Sequence, residues 1–316
     1  MEHIELNKSV QIVADIGGTS ARFAYVSGSS DELLDVEILA SADFPQFIDI
    51  IRHYIERAQL SHIDRICLAV AAPVSHDWIE FGNNHWAFSC AELREVLGIP
   101  VTVINDFDAQ ALSIDALDDC ELMWIGEPRP SEGSVKAMLG PGTGLGVSGL
   151  LPGGHIVPSE GGYIGFSPLD DHQDSLHKIL RQRYGRVSIE HVLSGMGLSN
   201  LYWANSHLLG YSRELSPTEI TAKAQTGDSC CVKTLEDFFT ILAAVAGDVA
   251  LMMGATGGVY ISGGIVPRLL EGFDAAAFRH RFDDKGRMSG VCAITPLAIV
   301  LAQHPGLRGC VAALRQ

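Results

Sequence analysis

Apolar residues fall along this chain in two alternating patterns, short continuous runs and helical repeats. Val10-Gln11-Ile12-Val13-Ala14 and residues 22–26 are apolar runs on either side of Gly17-Gly18, and they predict a strand hairpin around a glycine turn. Phe47, Ile48, Ile51 and Ile55 recur at helical spacing behind Pro45, which predicts a helix over 47–58. Ile66-Cys67-Leu68-Ala69-Val70, closed by Pro73, has the continuous apolarity of a buried strand. Ser89 is placed to cap a helix running to Leu97, and Gly98 to end it. Val101-Thr102-Val103-Ile104 is β-branched throughout, the pattern of a central strand. Beyond Asp106, a helix over 109–117 is expected to carry the chain into a second lobe.

The second half repeats the motif. Val135-Lys136-Ala137-Met138-Leu139 and Val147-Ser148-Gly149-Leu150-Leu151 flank another glycine turn, Gly140-Pro141-Gly142-Thr143-Gly144-Leu145-Gly146. Helices are predicted near 173–184 and 188–193, and a long apolar one over 232–253. The long helix leads to a strand that ends in Gly263-Gly264, and a short helix over 305–314 follows near the end. Strands alternating with helices predict an α/β class with parallel sheets, plus antiparallel hairpins at the glycine turns. A strand–glycine–strand pattern in both halves hints at duplication of one fold unit.

Composition narrows the function classes. The 316 residues are 47% hydrophobic, enough to bury a full core in two lobes. The net charge is −16 with no basic run, so nucleic acid and acidic membrane surfaces are not expected partners. A nucleotide remains compatible, because backbone amides and a metal ion can carry its charge. Residues 1–9 are polar and mixed in charge, unlike a signal peptide, and the best candidate span, 238–253, is short and contains Asp248. A cytoplasmic location is expected. The seven cysteines are scattered, without a C-x-x-C pair, and read as small core fillers rather than a disulfide or zinc framework.

Several residues carry candidate chemistry. Glycine turns let backbone N–H groups converge on a phosphate without meeting a Cβ, and two of them suggest two jaws on one polyphosphate. Asp15, just before the first turn, suits a magnesium ion held through water, or equally a turn-forming acid. Asn105 and Asp106 end a strand, where α/β sheets place their ligand crevices; the carboxylate there is positioned to accept a hydroxyl proton, while the pair is also a common turn opening. Glu160, in Ser159-Glu160-Gly161-Gly162-Tyr163, and Glu190, before Val192-Leu193-Ser194-Gly195, are either solvated acids or acceptors for a polyol. No G-x-x-x-x-G-K-[ST] occurs, and the run 140–146 does not fit G-x-G-x-x-G, so neither a P-loop nor a dinucleotide-binding fingerprint is present.

Taken together, these motifs resemble the hexokinase–actin ATPase superfamily. Residues 15–22 and 140–146 resemble its two phosphate motifs, and Ser262-Gly263-Gly264-Ile265-Val266-Pro267-Arg268 resembles its adenosine motif. Ile104-Asn105-Asp106-Phe107 resembles its sugar-site segment. The closer likeness is to bacterial ATP-dependent glucokinases of the non-zinc type, which Trp86-Ala87-Phe88-Ser89, Glu160-Gly161-Gly162, Val192-Leu193-Ser194-Gly195 and Asp284-Lys285-Gly286-Arg287 also fit. Each motif alone is weakly specific; their order over residues 12–307 carries the resemblance.

The resemblance implies a two-domain actin-like ATPase (ribonuclease H-like) fold with mixed sheets, a small domain of 1–116 with 303–316, a large domain of 117–302, and sugar held in an interdomain cleft. It implies ATP and magnesium as cofactors, glucose or a related hexose as substrate, and a homodimer. Asp106 would be the catalytic base, with Asn105, Glu160, Tyr163 and Glu190 binding sugar. Asp15, Gly17, Gly18, Thr19, Gly142, Thr143, Gly144, Gly263 and Gly264 would hold the nucleotide, and Asp15 its magnesium. Three departures stand out: Tyr163 replaces the family's histidine, Gly165 an aspartate of close relatives, and Ser20 a common asparagine. The expected reaction is γ-phosphoryl transfer to the 6-hydroxyl of glucose. A kinase for another hexose or amino sugar, and a catalytically silent sugar-binding regulator, are the alternatives.

Overall fold

The computed structural model describes residues 9–316 apart from 83, 128, 131 and 132. The chain divides into two compact units, Met1–Leu117 with Ala302–Gln316, and Asp118–Leu301.

In the first unit, β1 (Val10–Ile16) and β2 (Ser20–Ser27) form the predicted hairpin, and β3 (Leu34–Ala40) extends it. The helix α1 (Phe47–Arg57) then leads to β4 (Ile63–Val70). A small ribbon, β5 (Trp78–Glu80) with β6 (Ala87–Ser89), precedes α2 (Cys90–Leu97). Ser89 caps α2 through the Glu92 N–H, and Gly98 ends it in the left-handed conformation. The strand β7 (Val101–Asn105) and helix α3 (Asp106–Leu112) follow. The sheet order is β3-β2-β1-β4-β7, with β1, β4 and β7 parallel.

Alternation along these strands builds two cores. Ile12, Ala14, Ile16, Ile66, Leu68 and Val70 face the side covered by α1 and α2. Val13, Ala24, Cys67 and Ala69 face the other side, where they meet Leu307, Cys310, Val311 and Leu314 near the chain's end.

The second unit contains β8 (Leu122–Trp124), the hairpin β9 (Lys136–Pro141) and β10 (Leu145–Leu151), and β11 (His155–Ser159). Helices α4 (Asp171–Tyr184), α5 (Gly195–Leu208), α6 (Pro217–Gln225) and α7 (Ser229–Met253) come next. Then β12 (Gly258–Ile261), α8 (Ala275–Asp283), α9 (Ser289–Ile294) and β13 (Leu297–Val300) complete it. The final helix, α10 (Pro305–Leu314), belongs to the first unit. Its Gly309 lies so close to α3 that a Cβ would stand 1.6 Å from the Ala109 carbonyl oxygen.

The second sheet runs β11-β10-β9-β12-β13-β8. Its first five strands pair as the first sheet's do: two antiparallel pairs, then two parallel ones. The duplication hinted at by the two glycine turns is therefore a repeated sheet topology.

Three expectations are corrected. Residues 101–105 form an edge strand, because β-branching marks a strand without fixing its place in the sheet. The helix expected over 109–117 begins at Asp106, where the Asn105 side chain accepts from the Phe107 and Asp108 N–H groups, and it stays in the first unit. Residues 188–193 hold only a single 3-10 turn, Ile189–His191, which the Ser188 and His191 side chains close at its start. Six of the seven cysteines are buried, Cys120 is exposed, and all are free thiols. Among the described residues no helix is long and apolar enough to cross a membrane.

Candidate active site

The first unit gathers its candidate residues at one end of its sheet. Ile16, Val70 and Asn105 are in register across three parallel strands, so the first glycine turn and Asp106 emerge at the same end of the sheet, from the strands on either side of β4. The Gly17 N–H closes that turn on the Ser20 carbonyl (3.0 Å), and the Thr19 carbonyl accepts from Ser41 N–H (3.0 Å). Gly18 is half-buried and Thr19 exposed. Asp15, on β1, faces Arg22 across the hairpin, with 3.5 Å between Oδ2 and Nη1. Gly306 at the start of α10 packs on the same carboxylate; a Cβ there would lie 2.8–2.9 Å from its atoms. Burial raises the Asp15 pKa, opposed by the charges of Arg22 and His304.

Asp106 is pushed up to about 7, chiefly by burial and then by the charge of Asp15, against a stabilising bond from the Phe107 N–H. A carboxylate poised there can take a proton at neutral pH. Asn105 is more committed than its sequence suggested. Its Oδ1 caps α3, and its Nδ2 donates to the Ala72 carbonyl (3.2 Å), which leaves one amide N–H for a ligand.

In the second unit, the Gly142 N–H closes the second glycine turn on the Gly144 carbonyl (2.8 Å), and Thr143 is exposed at its tip. This turn packs backbone to backbone on the adenosine-like motif. A Cβ on Gly140 would stand 2.5 Å from the Ser262 carbonyl oxygen, and one on Gly263 (φ +90°) 2.4 Å from that of Pro141; Gly264 faces open space.

Glu160, Tyr163 and Glu190 also converge. Glu160 and Tyr163 bracket a 3-10 turn, Gly161–Tyr163, which presses so tightly on β10 that a Cβ on Gly162 would lie 2.1 Å from the Leu145 carbonyl oxygen. The turn is tied to the segment carrying Glu190 by the Ile189 N–H, which donates to the Ile164 carbonyl (2.9 Å). Tyr163 is more than half exposed, and its phenol pKa is raised by the charge of Glu190, then by burial and the charge of Glu160. Glu160 is exposed, whereas Glu190 Oε2 accepts from the Leu145 N–H (3.0 Å). A Cβ on Gly165 would meet nothing within 4 Å, so sterics do not account for the missing aspartate.

The residues that sequence reasoning missed are those whose role depends on pairing or packing. Arg22 lies inside a quoted motif without an assigned role, and Gly306 carries no local signal. In the second unit a cavity of about 660 Å³ opens beside the adenosine-like motif, lined by Arg268, Lys233, Glu236, Phe239, Phe273 and Phe278 among others. Conversely, two motifs that matched the resemblance serve the framework. Trp86 donates through Nε1 to the Phe44 carbonyl (3.0 Å) within an aromatic cluster, and Lys285 ties α7 through the Ala244 carbonyl (2.8 Å) and Asp248 (2.7 Å).

A model of the Glucokinase family matches residues 12–316 of this chain. The chain belongs to the glucokinase family. The glucokinase of Chromohalobacter salexigens is 43% identical over 308 residues, which span 96% of this chain and 97% of that one. A glucokinase structure from an Antarctic psychrotroph superposes with a TM-score of 0.86 at 35% identity, covering 97% of this chain and 99% of that one. A ROK family glucokinase from Streptomyces griseus, solved with glucose and AMPPNP, shares the fold at 18% identity (TM-score 0.67), covering 98% of this chain and all of that one. The fold is that of the actin-like ATPases, and membership of the glucokinase family makes this chain an ATP-dependent sugar kinase of the hexokinase type.

Proposed function

We propose that this chain transfers the γ-phosphoryl group of ATP to the 6-hydroxyl of glucose, giving glucose 6-phosphate and ADP, with Asp106 as the general base. The observation that carries this is Asp106 itself, a half-buried carboxylate at a strand end whose pKa is pushed up to about 7. It takes the hydroxyl proton as the sugar oxygen bonds to the γ-phosphorus and the bond to ADP breaks. Asn105 donates its remaining amide N–H to the sugar, and Glu160, Tyr163 and Glu190 hold its hydroxyls. The backbone of Gly17, Gly18 and Thr19, and of Gly142, Thr143 and Gly144, cradles the phosphates, while Gly263 and Gly264 border the adenosine. The cavity beside Arg268 has room for a base flanked by aromatic rings.

Asp15 fits a magnesium ion. It is a half-buried carboxylate whose charge also burdens Asp106, and a divalent cation held through water would relieve both. The metal would neutralise charge on the phosphates. Positioning and electrostatics do most of the work in such transfers. The proposal includes a small domain of 1–116 with 303–316, a large domain of 117–302, a cytoplasmic location, for which the buried free thiols fit a reducing compartment, and a homodimer, which light scattering on the purified protein would test.

Tyr163 favours a second reading, a kinase for another hexose or an amino sugar. A coupled assay of ADP release with glucose, fructose, mannose, N-acetylglucosamine and N-acetylmannosamine, with product position read by NMR, decides between them. Turnover of glucose to the 6-phosphate supports the first; turnover restricted to another sugar replaces it with the second.

A further inference from the structure

We infer that Glu190 is a positioning residue for the second phosphate turn, in addition to any contact it makes with sugar. The inference rests on the reading of residues 142–144 as phosphate-holding. Its carboxylate is built into that turn from below. Oε2 accepts from the Leu145 N–H at 3.0 Å, and a Cβ on Gly144 would stand 2.5 Å from the same oxygen. The chain that follows is strapped to the turn as well: Ser194 Oγ donates to the Glu190 carbonyl (2.9 Å), and the Gly195 N–H donates to the Gly142 carbonyl (2.9 Å). Val192 and Leu193 are fully buried, so the strap has a fixed base.

A side chain at 144 would thus displace the Glu190 carboxylate from its place against the turn. One side chain serves two ligands: one face of Glu190 fixes the backbone that meets the nucleotide, and its charge acts on Tyr163, a proposed sugar contact. Because the turn and Glu190 lie in the same unit, this link needs no movement of one unit against the other.

The test is ADP binding with magnesium by calorimetry, with no sugar present. Loss of a hydrogen bond to a charged acceptor should weaken ADP binding about tenfold in Glu190→Ala. Gly144→Ala should weaken it too, and the Gly144→Ala/Glu190→Ala double variant should bind no worse than Gly144→Ala alone, because removing the carboxylate removes the clash. Glu190→Gln keeps an oxygen for the Leu145 N–H and should hold ADP within about threefold of wild type. Melting curves on each variant separate these effects from misfolding, and Glu190→Gln with Gly144→Ala still decide the matter if Glu190→Ala does not fold. Unchanged ADP affinity in Glu190→Ala, or losses that multiply in the double variant, overturns the inference and leaves the kinase reading intact. A wild-type protein that does not bind ADP overturns both.

Discussion

The two glycine hairpins sit on sheets that share a five-strand pairing pattern, yet they are held in place by opposite means. The first carries charge. Asp15 lies under it, paired at 3.5 Å with Arg22 and pressed by Gly306, and its field reaches Asp106. The second is set by close backbone packing on Gly263 and by one distant carboxylate, Glu190, bonded to a main-chain N–H. Duplication of a topology has therefore left one copy suited to chemistry and the other to shape. The lesson is that a shared frame fixes where a turn emerges, while residues far away in sequence decide what the turn can do.

The largest expected effect lies on the charged side. Asp106→Asn should lower kcat about 10²–10⁴-fold, the usual worth of general-base help. With the base near 7, kcat/KM of the wild type should fall about tenfold per pH unit below that value, since the base must be ionised. A flat profile from pH 5.5 to 8 would remove Asp106 from the role. The same substitution has a stability signature. The folded-state pKa is raised, so the stability this group contributes is present at low pH and lost as pH rises through about 7. Asp106→Asn should accordingly raise Tm most at pH 8 and by less at pH 5, where the folded wild-type carboxyl is neutral but the unfolded one is already ionised.

Next in size is a contrast between the hairpins. Gly263→Ala forces a side chain into a left-handed residue and against the Pro141 carbonyl, for about 1–3 kcal/mol. Gly17→Ala meets only the Ser20 carbonyl at 3.2 Å and should cost less, about 1 kcal/mol or under. Urea midpoints at constant m measure both, and equal losses would break the distinction. Arg22→Gln removes a part-exposed pair and should raise KM for magnesium–ATP only a few-fold, in keeping with about 1 kcal/mol. Tyr163→His should have the smallest effect, a change in glucose KM of less than about tenfold with kcat held. A large fall in kcat instead would make Tyr163 part of the chemistry.

Much of the frame was legible because its signals are local. Both hairpins, α1, the Ser89 and Gly98 caps of α2, and α10 follow from period and capping residues. The edge position of 101–105 was not, since pairing partners are set by the whole sheet. Nor was the brevity of the 188–193 segment, where Ser188 and His191 close a single turn that sequence period does not distinguish from a helix. At the site, glycine turns and acids stood out by type. Gly306 and the cavity beside Arg268 did not, because their significance is contact with residues far off in the chain, and Arg22 did not because only strand register sets it opposite Asp15. Lys285 shows the converse, a motif residue whose visible task is to hold α7 and α8 together.

The last helix completes the first sheet. Leu307, Cys310, Val311 and Leu314 cover the apolar face made by Val13, Ala24, Cys67 and Ala69. During synthesis that face must wait uncovered while the whole of the second unit is made, on the order of 10–40 s at typical elongation rates. The second unit, whose residues are continuous, can fold during that interval, so assembly runs from the middle of the chain outward. Ribosome-stalled chains ending before Pro305 should lose β1–β4 to protease while 118–301 resists; equal protection of both would show that the first sheet closes without its final cover.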